Sequence, residues 1–160
     1  MFDAFLKIDG IKGESTDSKH KDEIEIESFS WGLSQSGSFA AGGGGGAGKV
    51  QFQDFHFTSN VSKASPNLFL KCATGEHIKS AELAVRRSSA NPQDFMHLKM
   101  EDVLISSYQN GGNSQSETLP TDQVSLNFAK IEFAVTVQDE TGKEGETIRA
   151  GWDLKQNKKV

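Results

Sequence analysis

Apolar and polar residues alternate along most of this chain, and a period of two is typical of β-strands. The first such run contains Phe2, Ala4, Leu6 and Ile8. Later runs begin at Ile24 and Ala81, and the last contains Ile148, Ala150, Trp152 and Leu154. The polar or glycine-rich stretches 13–23, 36–48, 110–117 and 139–146 are predicted loops. The pattern therefore predicts a mainly-β fold.

The longer alternating runs change phase midway. The changes fall between Ile26 and Phe29, Phe52 and Phe55, Met100 and Val103, and Phe128 and Ile131. A slip of one residue turns every later side chain to the other face of the sheet, and a β-bulge absorbs such a slip by bending the strand. Long bent strands favour a closed or nearly closed barrel over a flat sheet. The alternative is that each change separates two short strands.

The segment SPNLFLKCATGEH (65–77) predicts the one helix, at about 66–74, flanking the barrel. Ser65 is the expected N-cap, Pro66 fits the first helical position, and Gly75 fits the C-terminal cap. The face expected to pack on the barrel contains Leu68, Phe69 and Cys72. We interpret Cys72 as a small buried hydrophobe. The alternative, a reactive thiol, lacks a nearby basic cluster.

Composition supports one globular domain over residues 1–160, because 35% of the residues are hydrophobic and 11 are phenylalanine. The net charge of −5 argues against nonspecific nucleic-acid binding, which needs clustered basic residues. A single cysteine cannot form an intramolecular disulfide. The start MFDAFLKIDG lacks the features of a secretory signal peptide, and no apolar run approaches the ~20 residues of a membrane helix. We expect a protein made in the cytoplasm, without membrane insertion, that leaves the cell only by a route reading no cleavable signal.

The segment AAGGGGGAGKV (40–50) nearly matches a phosphate-binding loop, with Gly43, Gly48 and Lys49 at the required spacing. However, Val50 stands where a serine or threonine hydroxyl would bind magnesium. The following residues alternate like a strand, whereas a phosphate-binding loop precedes a helix. The sequence therefore does not predict nucleotide binding.

Other patterns also fail to define a reactive centre. GLSQSG (32–37) has Ser36 where a nucleophile elbow needs glycine. His20, His56, His77 and His97 have no metal-ligand spacing, and His56 should point away from the face of Phe55 and Phe57. Glu23, Glu25 and Glu27 share one face of one strand, which is either a solvated face or a charged wall or seam. We assign no catalytic, metal-binding or cofactor-binding residue and expect no cofactor.

Six segments carry a resemblance to a known family. They are FLKIDGIKGESTDSKHKDEIEI, SFSWGLSQSGS, GGGGGAGKVQFQDFHFTSNVSKASPNLFLKCATGEHI, VLISSYQNGG, VSLNFAKIEF and GWDLKQN. In this order they closely resemble the haemolysin-coregulated proteins (Hcp), the tube subunits of bacterial type VI secretion. The combination of SWG-x-SQSGS, the glycine run and SPNL-x-L-x-C is specific. The resemblance spans nearly the whole chain.

This resemblance implies a compact β-barrel of two packed antiparallel sheets with one flanking helix. It implies hexameric rings that stack into a tube inside a contractile sheath, with a spike protein as a further partner. Sheath contraction would expel the tube, and some members carry small effector proteins in the lumen. A structural subunit of this kind is not an enzyme. The competing interpretation is a free-standing secreted β-barrel module that binds a surface or a carbohydrate.

Two hypotheses about sites follow from the resemblance. Residues 38–49 would form an extended loop that contacts a neighbouring subunit or the next ring, because glycine permits close backbone approach. The residues assigned to this contact are Gly42, Gly43, Gly44, Gly45, Gly46, Gly48 and Lys49. If Phe29, Trp31 and Leu33 face the core, Ser28 and Ser30 point the other way and would line the lumen and contact cargo.

Overall fold

A computed structural model describes residues 1–36, 49–89 and 92–160. Its elements are β1 (Phe2–Ile8), β2 (Ile24–Ile26), β3 (Ser28–Ser34), β4 (Gln51–Asn60), α1 (Ser65–Thr74), β5 (Ile78–Arg87), β6 (Asp94–Gly111), β7 (Thr121–Gln138), β8 (Glu144–Asp153) and β9 (Lys158–Lys159). The predicted mainly-β fold with one short helix is confirmed. Within the described residues, α1 is too short to cross a membrane, and no helix there could do so.

Every strand pair is antiparallel, and the strand order is β2-β1-β5-β6-β7-β4-β3, with β8 between β7 and β9. This hydrogen-bonded path is not closed. Its two ends are nevertheless adjacent in the chain, because only Glu27 separates β2 from β3. The Glu27 amide donates a hydrogen bond to the Thr58 carbonyl in β4, at 2.8 Å. The sheet edges therefore meet at one residue instead of along a ladder.

The long β6–β7 hairpin divides the sheet into two layers. Residues 121–126 of β7 pair with β4, whereas residues 130–138 pair with β8. The layer of β3 and β4 and the layer of β1, β5 and β8 diverge from this hairpin. One continuous core, which includes Leu6, Phe55, Leu83 and Leu126, lies between them.

The phase changes seen in the sequence are real, but they have two structural forms. In β6 and β7 the change occurs inside one 18-residue strand. In β6 it coincides with Asp102, whose φ of 53° is left-handed, and Met100 and Val103 on either side are both fully buried. The β3–β4 ladder shifts register between Ser30 and Gly32. The change after Ile26 instead separates two strands, β2 and β3, so the alternative interpretation holds there.

Helix α1 ends as the sequence predicts, but it begins differently. Gly75 is the C-cap, with φ of 67°, and its amide donates to the Lys71 carbonyl at 3.1 Å. The N-cap is Ala64, without a side-chain hydrogen bond, so the prediction of Ser65 was wrong. Ser65 is instead the first residue of the helix, and its hydroxyl donates to the Asp122 carboxylate at 2.5 Å.

The helix face differs from the predicted one. Leu68 is fully buried, and Cys72 packs partly buried against the core. Phe69 is 58% exposed, so the prediction that it packs on the barrel was wrong. Its ring lies edge-on to Tyr108, with ring centroids 6.4 Å apart. A residue next to Leu68 turns about 100° away from it on a helix, which removes Phe69 from the buried face.

A buried carboxylate fixes α1 to the β6–β7 hairpin. Asp122 is 1% exposed and accepts hydrogen bonds from Ser65 Oγ, from Tyr108 OH at 2.7 Å and from Asn110 Nδ2 at 2.8 Å. The pKa of the Tyr108 hydroxyl is raised, mainly by burial and secondly by the hydrogen bond to Asp122. Because buried polar groups need partners, these bonds define how the helix sits on the hairpin.

The polar loop between β1 and β2 is held by buried contacts. Both nitrogens of His20 face carboxylates at 3.1 Å, Nδ1 toward Glu23 and Nε2 toward Asp94 of β6. The His20 ring also stacks on Phe5, with centroids 4.4 Å apart. The Arg86 guanidinium pairs with Asp17 at 2.7 Å. The loop is therefore fixed on the outer side of β1, β5 and β6.

Candidate functional site: a polar outer face

Rows of polar side chains cross the four strands β3, β4, β7 and β6 on their outer side. One row, set by the strand register, contains Ser28, Thr58, Gln123 and Gln109. The next row contains Ser30, His56, Ser125 and Ser107. A third group beside them contains Asp54, Asn127 and Ser106. We call these eleven residues the polar face.

The alternation of the strands creates this surface. Phe55, Phe57 and Leu126 are fully buried in the core, so the residues between them point outward. Ser28 and Ser30 are both exposed, as the sequence predicts. The two residues predicted to line the lumen therefore lie close together on β3, each at the β3 end of its row.

Hydrogen bonds between neighbouring strands order the side chains of the two rows. Ser28 Oγ lies 2.6 Å from Thr58 Oγ1. His56 Nδ1 lies 2.9 Å from Ser125 Oγ, and the His56 side chain points away from the face of Phe55 as predicted. These bonds hold the side chains in place while leaving further lone pairs and hydroxyl protons toward solvent.

Asp54 is the one carboxylate of the polar face. Its two oxygens accept hydrogen bonds from Ser106 Oγ at 2.6 Å and from Asn127 Nδ2 at 3.0 Å. Ser106 and Ser107 are both exposed because the β6–β7 register shifts between Ile105 and Ser107. Neutral donors therefore surround the carboxylate, and the face has little net charge.

The other layer presents a charged outer face. One row across β1, β5, β6 and β7 contains, in order of register, Lys7, Glu82, Lys99 and Glu132. The signs alternate along this row, and Arg149 of β8 adds a pair with Glu132 at 3.3 Å. The two outer faces thus differ in chemistry, since one carries hydroxyl and amide groups with little net charge and the other carries a row of alternating charges.

The three glutamates near β2 do not form an equivalent row. Glu23 precedes the strand and contacts His20, with a side chain only 14% exposed. Glu25 is exposed and lines a small pocket with Arg86. Glu27 lies between β2 and β3 and is exposed. Only Glu25 lies within the three-residue β2, so the expectation that all three belong to one strand was wrong.

An apolar groove, which we did not predict, opens where the two layers diverge. Its volume is about 570 Å³. The side chains lining this groove come from β3, β4, β7 and β8 and include Trp31, Leu33, Phe52, Ile131, Phe133 and Trp152. Leu33 is 53% exposed, so the prediction that it faces the core was wrong, whereas Phe29 and Trp31 pack against the core.

The groove is aromatic and contains one unpaired donor. Trp31 and Phe133 meet edge-on with centroids 5.2 Å apart. The indole N–H of Trp152 is buried without a hydrogen-bond partner in the described structure. The apolar alternation of the last strand accounts for one side of this surface, since Ala150 and Trp152 lie opposite Phe133 and Ile131.

The glycine residues assigned to subunit contact, Gly42 to Gly46 and Gly48, lie outside the described residues. Lys49 is described and is exposed. Across residues 1–36, 49–89 and 92–160, no group of histidine, cysteine, aspartate and glutamate is arranged to hold a metal ion.

The structure is therefore a mainly-β protein with a polar face, a charged outer face and an apolar groove. The family model for the type VI secretion system effector Hcp matches residues 5–135. The chain belongs to this family.

Individual relatives agree over nearly the full length. Protein hcp1 of Pseudomonas aeruginosa is 43% identical over 157 residues, which cover 97% of this chain and 96% of that protein. The crystal structure of Hcp1 from Salmonella typhimurium has 38% identity and a TM-score of 0.84, covering 99% of each chain. A solved structure of a type six secretion system protein has 30% identity and a TM-score of 0.94, covering 100% of each chain.

Proposed function

We propose that this protein is the structural subunit of a type VI secretion tube. It forms hexameric rings that stack, and contraction of the surrounding sheath expels the tube with its spike. The protein is made in the cytoplasm and leaves the cell by this route. Membership of the Hcp family supports the proposal. Two outer faces of unlike chemistry also suit a ring, which needs one surface inside and another outside.

The polar face is the observation that carries the role of cargo carrier. We assign it to the lumen, where it would contact small effector proteins. Each hydrogen bond exchanged for water contributes only about 1 kcal/mol. Rows of hydroxyl and amide groups with little charge would therefore hold a protein through many weak contacts and release it on dilution. Ser28 and Ser30 lie at one edge of this surface, within reach of a cargo.

Substitution of Ser30 tests this assignment. We expect Ser30→Gln to lower the cargo recovered with purified rings at least tenfold, because six longer side chains would narrow the channel. The control is Ser114→Gln, since Ser114 is exposed in the turn between β6 and β7, away from the polar face. Cargo recovery is measured by pull-down and ring formation by electron microscopy. Normal cargo recovery with intact Ser30→Gln rings would reject the lumen assignment.

We retain the glycine-rich segment as the proposed contact between subunits or rings. Replacing Gly44 and Gly45 with bulky residues should weaken ring stacking, because the proposed close backbone approach leaves no room for side chains. Tube length is measured by electron microscopy. Tubes of normal length would contradict this assignment.

A further inference from the structure

Two apolar surfaces lie at opposite ends of β4, and none of residues 1–36, 49–89 and 92–160 covers either of them. The strand begins beside the apolar groove, where Phe52 is a lining residue, and it ends a few residues before helix α1. At ~3.3 Å per residue its ten residues separate the two surfaces by about 30 Å. One surface is concave and the other is the convex side of a helix.

The convex surface is the exposed helix face, formed by Pro66, Phe69, Leu70 and Ala73. Spacings of three and four residues place these side chains together on α1. Phe69 is 58% exposed and Leu70 is 53% exposed. An amphipathic helix normally buries such residues, so this helix exposes an apolar face in addition to the one it packs on the core.

The groove offers the complementary shape. It is an open apolar depression with aromatic walls, which is the kind of site that accepts an apolar helix face.

Charges beside the two surfaces are also complementary. Beyond the groove-lining residues Phe133 and Ala150, the β7–β8 hairpin ends in exposed acidic residues, among them Glu140, Glu144 and Glu146, with one basic residue, Lys143. The helix carries Lys71 and is preceded by the exposed Lys63. Lys71 already forms an ion pair with Glu76 at 2.8 Å. Of these two lysines, Lys63 is the one without an ion-pair partner among the described residues.

We propose that the exposed helix face of one copy of this chain docks into the apolar groove of a second copy. This inference rests on the proposed ring, because it names the surfaces through which the subunits meet. The contact joins two different patches, so every copy can donate its helix and accept another. Such a heterologous contact closes into a ring or continues as a filament, and it covers both apolar surfaces at once.

Disulfide trapping tests the contact directly. In a Cys72→Ser background, Leu33→Cys in the groove is combined with Ala73→Cys on the helix, and the purified protein is oxidised. We expect a covalent ladder extending beyond the dimer, since each copy carries both partners. Each single cysteine variant should form no disulfide across this contact, because its thiol would face a residue other than cysteine. The control pair, Ser30→Cys with Ala73→Cys, places one thiol on the polar face and should give no ladder.

A charge substitution gives a second measurement. Leu70→Glu should lower the fraction of protein in rings at least tenfold in native mass spectrometry, because the contact would bury an unpaired carboxylate. Leu119→Glu is the matched control, since Leu119 is 60% exposed but lies outside both surfaces. Both leucines are exposed, so both variants should keep the thermal stability of the parent protein.

The outcomes separate this inference from the proposed function. Wild-type rings without a disulfide ladder, or with an unaffected Leu70→Glu variant, would overturn the docking contact and leave the ring intact. A ladder in a protein that forms no rings would support the contact and contradict the proposed ring. Absence of both would overturn both.

Discussion

At the scale of single residues, the orientation of side chains along regular strands was predictable and the exceptions were not. Ser28, Ser30 and His56 point outward as alternation requires. Leu33 is exposed because it lies at the mouth of the groove, where the layers separate. The sequence could not indicate that Ser65 bonds to Asp122, because their positions are 57 residues apart.

Asp122 provides the most direct test of stability at this scale. We expect Asp122→Ala to lower the free energy of unfolding by about 2–4 kcal/mol, because Ser65, Tyr108 and Asn110 lose their common acceptor and the Ser65 hydroxyl is buried. The matched control is Asp54→Ala, which also removes the acceptor of two hydrogen bonds, but at a surface site. Urea unfolding measures both. Equal losses of unfolding free energy in the two variants would show that the burial of Asp122 adds nothing to its contribution to stability.

The Asp17–Arg86 pair predicts a dependence on pH. The hydrogen bond from Arg86 lowers the pKa of the Asp17 carboxyl in the folded state. Its stabilisation is therefore fully present above the unfolded pKa of about 3.9 and is lost as the pH falls through the lowered value. Asp17→Asn should be less stable than wild type at pH 7, and this difference should shrink below about pH 4. A difference that stays constant over that range would contradict the account.

At the scale of elements, helix α1 and the phase changes were predictable because they depend on local sequence. Gly75 ends the helix as its type suggests, and the phase changes within β6 and β7 are visible in the sequence as one-residue slips of the apolar alternation. The sequence did not distinguish a break between β2 and β3 from a β-bulge within one continuous strand. Whether a strand continues depends on its neighbours, and β2 pairs with β1 whereas β3 pairs with β4.

The end of α1 can be tested with two glycines. We expect Gly75→Ala to cost about 1 kcal/mol, because φ at this position is 67° and an L side chain is strained there. Gly111→Ala is the control, since a Cβ at Gly111 meets no atom within 4 Å and φ there is not left-handed. Thermal unfolding compares the two. An equal effect would mean that the cap conformation carries no cost for alanine.

At the scale of the whole molecule, the sequence predicted the class of fold but not which strands are neighbours. The partners of β1 are β2 and β5, and β7 changes partner from β4 to β8 along its length. Such pairings join distant segments through side-chain packing that periodicity does not encode. The groove results from this change of partner, which explains why alternation alone did not reveal it.

The unlike outer faces acquire a meaning only in an assembly. An isolated molecule has no evident need for one hydrogen-bonding face and one charged face, nor for an apolar groove and an apolar helix face that the described part of the chain leaves uncovered. A closed ring assigns each surface a place, and its heterologous contacts can cover the two apolar ones. Self-assembly is therefore the central claim of this account.

Native mass spectrometry of the purified chain over a range of concentrations tests that claim most directly. The account predicts a complex of six copies that persists on dilution. A protein that remains a monomer at every concentration would contradict it and favour a free-standing binding module.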